Sequence, residues 1–211
     1  MITLALDAST YEGSVAVLDG DRILAEGSAA MRGRDVERLM PEVEATLTRS
    51  GLSLAQVGRI VCGAGPGSFT SLRIAGSLAK GIALGADKPL WVTSSLALIV
   101  AGNATVPGRY LAALDAIRGE YFVAAFVFDG GRVAAEGGPT LTPKGGIEAM
   151  AAGLNARRVG PDFADRWLPH ARGVRRLEAA LAASGPVNLA SWEPTYGRLP
   201  EAQVKLEAAR Q

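Results

Sequence analysis

The stretches LALDASTYEGSVAVLDGDRILAEG (residues 4–27) and LAALDAIRGEYFVAAFVFDGGRVAAEG (residues 111–137) share one pattern. Each begins with an apolar run that ends in an aspartate, at Asp7 and Asp115. In each, a second apolar run is closed by Asp-Gly, a pair typical of hairpin turns, and a third run ends in Ala-Glu-Gly. Agreement at three separate points predicts an internal duplication of the chain.

The repeated unit predicts the fold class. A three-stranded meander followed by a helix, a strand and a helix is the ribonuclease-H-like unit. Two such units give the α/β architecture of actin, sugar kinases and heat-shock ATPases, with mixed sheets flanked by helices. We therefore predict an N-terminal domain over 1–102, which carries a partner interface, and a reduced C-terminal domain over 103–211. The expected linker between them is GNATVPG (102–108).

In this architecture, the acid that ends the first strand of each half faces the cleft between the halves. There it can hold a magnesium-bound phosphate through water. Asp7 and Asp115, with Ser9 and Thr10 after the first strand, are therefore the candidate nucleotide-binding residues. The alternative for Asp7 is a structural role, in which its carboxylate bonds the turn at Ser9 and Thr10. The sequence leaves both roles open.

A glycine-rich turn leads into a long apolar helix in GAGPGSFTSLRIAGSLAKGIALG (residues 63–85). The start of a helix attracts anions, but this turn matches neither common phosphate-binding motif. Pro66 has no N–H group to donate, and no lysine stands where a phosphate loop carries one. The small residues of the helix instead indicate that a neighbouring helix packs closely against it.

We predict that two helices, over 36–50 and 70–84, form one partner-binding patch. Apolar residues recur at helical spacing in both, and Gly51 ends the first helix. A two-fold interface uses the same surface twice, so the chain alone is expected to form a homodimer through this patch. The predicted interface residues are Val36, Leu39, Met40, Val43, Leu72, Arg73, Ala75, Gly76 and Ala79.

The composition limits the function classes. The chain has 22 Lys and Arg against 21 Asp and Glu, so its net charge does not predict a nucleic-acid-binding protein. The single His170 rules out paired-histidine metal motifs, so we expect no metal site, and the single Cys62 cannot form an intrachain disulfide. The N-terminus lacks a basic leader, and no apolar run reaches the roughly 18 residues of a membrane span. We expect a soluble cytoplasmic protein.

Four motifs resemble the bacterial TsaB (YeaZ) family. GPGSFTSLRIAGSLAKGIALG is similar to the family's GPGSFTGLRIG, and LALDAST is similar to its opening LAIDTS. Asp115-Ala116 followed by Arg118-Gly119-Glu120 resembles the DAR-x-GE motif, and EPTYGR near the C-terminus resembles P-x-Y-x-R. The motifs keep the family's order, so the resemblance covers the whole chain.

The resemblance implies a non-catalytic, accessory subunit for threonylcarbamoylation of adenosine 37, beside the anticodon, in tRNAs that read codons starting with A. Such a subunit would bind and activate the catalytic subunit TsaD, and the ATPase TsaE would dock later. tRNA would be bound through the complex. The resemblance implies no firm cofactor for this chain, and ATP or ADP with magnesium would enter only in the assembled complex.

The chain also departs from the family pattern. Asp35-Val36 stand where members often have His-Ser or His-Thr, and Ser71 stands where many have Gly. The alternative function is an independent small-molecule kinase or ATPase of the same fold, with the candidate nucleotide-binding residues lining its cleft. The second half shows no glycine-rich adenosine-binding motif, which disfavours this alternative.

Overall fold

The computed structural model describes residues 1–31 and 38–197. Within these residues the chain forms two mixed β-sheets with helices packed against them. The strands of the first sheet are β1 (Ile2–Asp7), β2 (Glu12–Asp19), β3 (Arg22–Ala30), β4 (Arg59–Gly63) and β5 (Leu90–Thr93). The helices of the same half are α1 (Leu39–Ser50), α2 (Phe69–Gly85) and α3 (Ser95–Asn103).

The first sheet has the strand order β3-β2-β1-β4-β5. β1, β2 and β3 form an antiparallel meander, whereas β4 is parallel to both β1 and β5. The central strand β1 is buried from Thr3 to Asp7. A strand that is covered on both faces reads as a continuous apolar run, which explains the sequence of β1.

The second half repeats this plan in a shorter form. Its strands are β6 (Gly108–Asp115), β7 (Glu120–Phe128), β8 (Val133–Ala135), β9 (Thr140–Pro143) and β10 (Arg157–Val159). Its helices are α4 (Ile147–Gly153) and α5 (Glu178–Ser184), with a 3₁₀ turn at Ala171–Arg176 between β10 and α5.

The two sheets share the arrangement of their central strands. β6 pairs antiparallel with β7, and β7 pairs with both β8 and β9. β10 is parallel to β6, just as β4 is parallel to β1. In the described part of the second half, the sheet ends at β10 and has no counterpart of β5. The predicted α/β fold class, with mixed sheets flanked by helices, is confirmed.

Helix α3 packs between the two halves. Its residues from Ser95 to Gly102 are all buried. They belong to one apolar cluster with Ala5 and Val61 of the first sheet and Leu114 and Phe126 of the second. A helix that is apolar all round must be covered on every side, so the two halves share this core. None of the helices in residues 1–31 and 38–197 is long and apolar enough to cross a membrane.

Local signals determine where α1 and α2 begin and end. α1 begins at Leu39, so Pro41 lies in its first turn, where a helix tolerates proline because the N–H groups there have no intrahelical partner. Gly51 ends this helix with a left-handed φ of 71°, as predicted. α2 extends the predicted range of 70–84 by one residue at each end. Residues 36 and 37 of the first predicted helix lie outside the described residues.

Candidate functional site

Asp7 ends β1 inside the protein, where its side chain is fully buried. Its Oδ1 accepts hydrogen bonds from the Ser9 backbone N–H (2.9 Å) and hydroxyl (2.8 Å), and its Oδ2 accepts one from the Ser95 hydroxyl (2.6 Å). Burial raises the pKa of Asp7, and the hydrogen bonds from Ser95 and Ser9 oppose that rise. Of the two roles that the sequence leaves open for Asp7, these contacts support the structural one.

The glycine turn at 63–68 uses its backbone donors inside the protein. An anion at a helix start needs free N–H groups, and Pro66 has none. As the turn is arranged here, it does not form a phosphate cradle. The internal hydrogen bonds run from the N–H of Ala64 to the carbonyl of Thr93 (2.7 Å), from that of Gly65 to the Ser95 hydroxyl (3.1 Å), and from that of Ser68 to the Ser9 carbonyl (2.8 Å).

The glycines of this turn allow neighbouring segments to approach closely. A Cβ on Gly63 would overlap the Asp7 carboxylate, and a Cβ on Gly65 would overlap the carbonyl of Thr195. Gly65 also has a φ of 96°, a conformation that side chains disfavour. The turn is therefore a junction between the end of β1, the start of α2 and the C-terminal segment.

The other two candidate nucleotide-binding residues have separate surroundings. The Thr10 hydroxyl donates to the carbonyl of Glu12 at 2.9 Å. Asp115 is exposed and forms an ion pair with Lys144 at 3.2 Å. Within residues 1–31 and 38–197, no hydrogen bond joins Asp115 to Asp7, Ser9 or Thr10. Because the Asp7 carboxylate is already bonded on both oxygens, the four residues as arranged here do not fit a magnesium-bound nucleotide.

The remaining reactive groups are the buried Cys62 and the half-buried His170. Across residues 1–31 and 38–197, no three His, Cys, Asp or Glu side chains form a cluster that could hold a metal ion. Burial, with the nearby Asp7 carboxylate, raises the pKa of the Cys62 thiol, which keeps this thiol protonated. Burial, with the neighbouring Arg172, lowers the pKa of His170 to about 4, so its imidazole is neutral at pH 7.

Most of the predicted interface residues lie inside the protein, which corrects that part of the prediction. The apolar stripe of each helix packs against the helix's own sheet, so it is not at a surface that a partner could reach. Met40 is half-buried, Arg73 is exposed, and Val36 lies outside the described residues. The buried members are Leu39, Val43, Leu72, Ala75, Gly76 and Ala79.

The C-terminal segment Trp192–Gly197, here called the strap, covers the small-residue face of α2. Lys80 Nζ donates to the Trp192 carbonyl at 2.7 Å, and a Cβ added to Gly76 would lie 2.8 Å from Pro194 Cγ. The ring of Tyr196 lies on that of Phe69, with centroids 4.5 Å apart. The closely packed neighbour that these small residues indicate is thus a segment of the same chain.

The position of the strap over α2 is not predicted from the sequence. The motif EPTYGR and the tryptophan before it were the available signal, because a proline and two aromatic rings near a chain end suit packing against a small-residue helix. Nothing in the sequence pairs this motif with Gly76 and Phe69, which precede it by more than one hundred positions in the chain.

One face of α2 remains exposed. Phe69 is 37% exposed and Leu84 is 75% exposed. Arg73, Ser77 and Gly81 lie between them at helical spacing and are also exposed. A shallow depression of about 490 Å³ lies on this face, lined by Arg73, Ile74, Ser77 and Leu78. We call this set, Phe69, Arg73, Ile74, Ser77, Leu78, Gly81 and Leu84, the open face of α2.

The family model of "TsaD: tRNA N6-adenosine threonylcarbamoyltransferase" matches residues 32–144, just over half of the chain. In Escherichia coli, "tRNA threonylcarbamoyladenosine biosynthesis protein TsaB" is 37% identical, over 61% of this chain and 56% of that protein. This chain thus spans little more than half the length of that curated relative. An uncharacterized protein of Mycobacterium tuberculosis is 33% identical over 95% of this chain and 90% of its own length.

A solved structure has the same fold over nearly the whole chain. The structure of YeaZ from Pseudomonas aeruginosa superimposes with a TM-score of 0.75 at 26% sequence identity. The match covers 92% of this chain and 99% of that one. The similarity therefore includes both halves and is not confined to the segment that the family model matches.

Proposed function

The chain belongs to the TsaB (YeaZ) family, and we propose that it is an accessory subunit in the synthesis of threonylcarbamoyladenosine on tRNA. It binds and activates a TsaD-like catalytic subunit, which modifies adenosine 37 beside the anticodon in tRNAs that read codons starting with A. tRNA and a TsaE-like ATPase engage the assembled complex. Any use of ATP or ADP with magnesium belongs to that complex, and we assign no such step to this chain.

The observation that carries the proposal is the open face of α2. It combines exposed apolar side chains at Phe69 and Leu84 with small residues at Ser77 and Gly81. Exposed apolar surface along a helix is typical of a protein interaction site. Small side chains let a second helix approach closely, so a helix of the partner fits this face better than a loop would.

The surroundings of Asp7 support a non-catalytic role. A residue that binds a phosphate-bound cation must present its carboxylate to the ligand. Both oxygens of the Asp7 carboxylate instead accept hydrogen bonds from Ser9 and Ser95 within the core. The same contacts weigh against the alternative of an independent kinase or ATPase.

The open face also suits self-association when the partner is missing. A two-fold arrangement would place α2 of one copy against α2 of the other, and each copy would cover the exposed Phe69 or Leu84 of its neighbour. We therefore keep the prediction of a homodimer for the isolated chain, now formed through the open face and no longer through the buried interface residues.

The test blocks the open face with one bulky side chain. Ser77→Trp should abolish binding to the TsaD-like subunit of the same organism and stop threonylcarbamoyl transfer in a reconstituted reaction. Ala180→Trp, at an exposed position of α5, is the matched control and should bind and function like wild type. Size-exclusion chromatography with light scattering measures binding, and nucleoside analysis of the tRNA measures transfer. Normal binding by Ser77→Trp would refute the proposed interface.

A further inference from the structure

Arg73 is held in a defined position on the open face of α2. Its guanidinium carbon lies 4.5 Å from the ring centre of Phe69 and 5.8 Å from that of Tyr196. Its Nε also donates a hydrogen bond to the Tyr196 hydroxyl at 3.4 Å. Two rings and one hydroxyl therefore orient the guanidinium while the residue stays exposed.

No acidic side chain in the described residues forms an ion pair with Arg73. Helix α2 contains Arg73 and Lys80 but no Asp or Glu. Lys80 is already bonded to the carbonyl of Trp192 at 2.7 Å. A guanidinium has five N–H donors, and the hydrogen bonds of Arg73 to other described residues use one of them. Among residues 1–31 and 38–197, no side chain pairs with the remaining N–H donors of Arg73, which leaves them available to an acceptor on a partner.

An apolar recess lies directly beside this cation. The depression of about 490 Å³ is lined by Arg73 together with Ile74, Ser77 and Leu78. Ile74 and Leu78 supply its apolar lining, and the small residues Ser77 and Gly81 are exposed on the same face of the helix. The open face thus presents a cation next to an apolar recess.

We propose that Arg73 is a carboxylate receptor for an Asp or Glu on the docking helix of the catalytic subunit. An apolar side chain beside that acid enters the depression. This inference rests on the proposed function, because it names the chemistry by which the same face recognises its partner. Tyr196 of the strap is a positioning residue, since it orients Arg73 before binding and so lowers the entropy cost of forming a bidentate ion pair.

The charges on the open face favour this occupant over a second copy of the chain. Two copies of α2 packed through their open faces would bring one Arg73 from each side, and the helix itself contains no acid to pair with it. Like charges across an interface oppose association and select against the wrong partner. The homodimer is therefore the weaker assembly, and a helix that carries a carboxylate displaces it.

The experiment titrates the full chain into the TsaD-like subunit of the same organism by isothermal calorimetry. Arg73→Glu should weaken binding by at least about 30-fold, the loss expected at a hot-spot residue. Arg73→Lys should lose about 10-fold, because it keeps the charge but not the planar fork. Arg132→Glu, at an exposed arginine of the second half, is the matched control and should bind like wild type.

A second pair of variants tests the positioning role of Tyr196. Tyr196→Phe keeps the ring and loses only the hydroxyl bond, so it should bind within about 3-fold of wild type. Tyr196→Ala removes the ring and should weaken binding nearly as much as Arg73→Lys. Combined with Arg73→Lys, Tyr196→Ala should cause little further loss, because both variants remove the same stacked arrangement. Additive losses would overturn the positioning role.

The outcomes separate this inference from the function on which it rests. If a Lys in place of one partner acid restores binding to Arg73→Glu, the carboxylate pair is established. If Arg73→Glu binds as tightly as wild type while Ser77→Trp does not bind, the receptor is refuted and the docking face stands. If both variants bind normally, the interface in the proposed function is refuted as well. Thermal melting of each variant verifies that it is folded.

Discussion

Asp7 and Asp115 occupy the same position in the two halves but have opposite environments. Each ends the first strand of its half, in antiparallel register with the second strand, opposite Ser14 and Tyr121 respectively. Asp7 is 0% exposed, whereas the Asp115 side chain is 51% exposed and pairs with Lys144 at the surface. The duplicated backbone therefore places the two acids at equivalent positions, but they differ in exposure and in bonding partners.

The difference arises from what packs over each strand end. The glycine turn, the start of α3 and the strap together enclose the end of β1. At the end of β6, the following loop remains open, and its Ile117 is 74% exposed. The described second half has no counterpart of β5 and α3, so nothing equivalent covers Asp115. The segments that bury Asp7 keep its carboxylate away from ligands and supply the hydrogen bonds that it accepts.

The largest expected difference in stability is between the variants that remove Asp7 and Asp115. Asp7→Ala leaves three buried donors without their acceptor, namely the Ser9 N–H, the Ser9 hydroxyl and the Ser95 hydroxyl. We expect it to lower the free energy of unfolding by about 3 kcal/mol, since each unsatisfied buried group costs 1 kcal/mol or more. Asp115→Ala should cost less than about 0.5 kcal/mol. Urea denaturation measures both, and equal losses would contradict the comparison.

The next largest effect on stability is expected from disturbing the packing of the strap, which helps to enclose Asp7. Gly76→Leu places a side chain where Pro194 of the strap lies. This overpacking should lower the free energy of unfolding by about 2 kcal/mol. The amide of Thr195, bonded to the Ala64 carbonyl at 2.7 Å, should then exchange its hydrogen faster. Gly81→Leu on the same helix has no atom within 4 Å of its Cβ, so it should be neutral or stabilising. If both variants are equally stable, the strap does not pack on Gly76.

The smallest expected effect is on the pH dependence of stability. Burial raises the pKa of Asp7 above 3.8 in the folded state, so folding favours the protonated carboxyl. The stability contributed in this way is fully present below the unfolded pKa and is lost as pH rises through the folded pKa. Asp7→Asn does not titrate, so the stability of wild type relative to this variant should fall as pH rises from about 4. Urea melts between pH 4 and 7 test this, and a constant difference would show that burial does not shift the pKa of Asp7.

Local patterns were enough to predict the fold and most element boundaries. The duplication was predicted from three features shared by the two halves: the aspartate that ends the first strand, the Asp-Gly turn, and the third strand that ends in Ala-Glu-Gly. The two sheets have the expected topology. Gly51 marked the end of α1, because a left-handed residue stops a helix wherever it lies in the fold. These features depend on neighbours in sequence, so they can be read without knowing the packing.

The candidate site could be predicted only in part. The sequence singled out Arg73 and the α2 segment as parts of a partner interface, and that contact stays a prediction. The error lay in which face of α2 is open. Helical periodicity locates an apolar stripe and a small-residue face on α2 but does not say what covers either of them. Pro194 covers Gly76, and no local pattern links the two residues.

The sequence by itself determined the repeated strands, the helix ends and the identity of the acids, because backbone preferences and side-chain periodicity act over a few residues. Only the tertiary structure decided which of these groups is exposed. Burial depends on segments that are distant in the chain, as when Ser95 and the strap enclose the turn at Asp7 while Asp115 stays in water. Because contact with water determines what a carboxylate can bind, this difference in cover separates the buried Asp7 from the exposed Asp115.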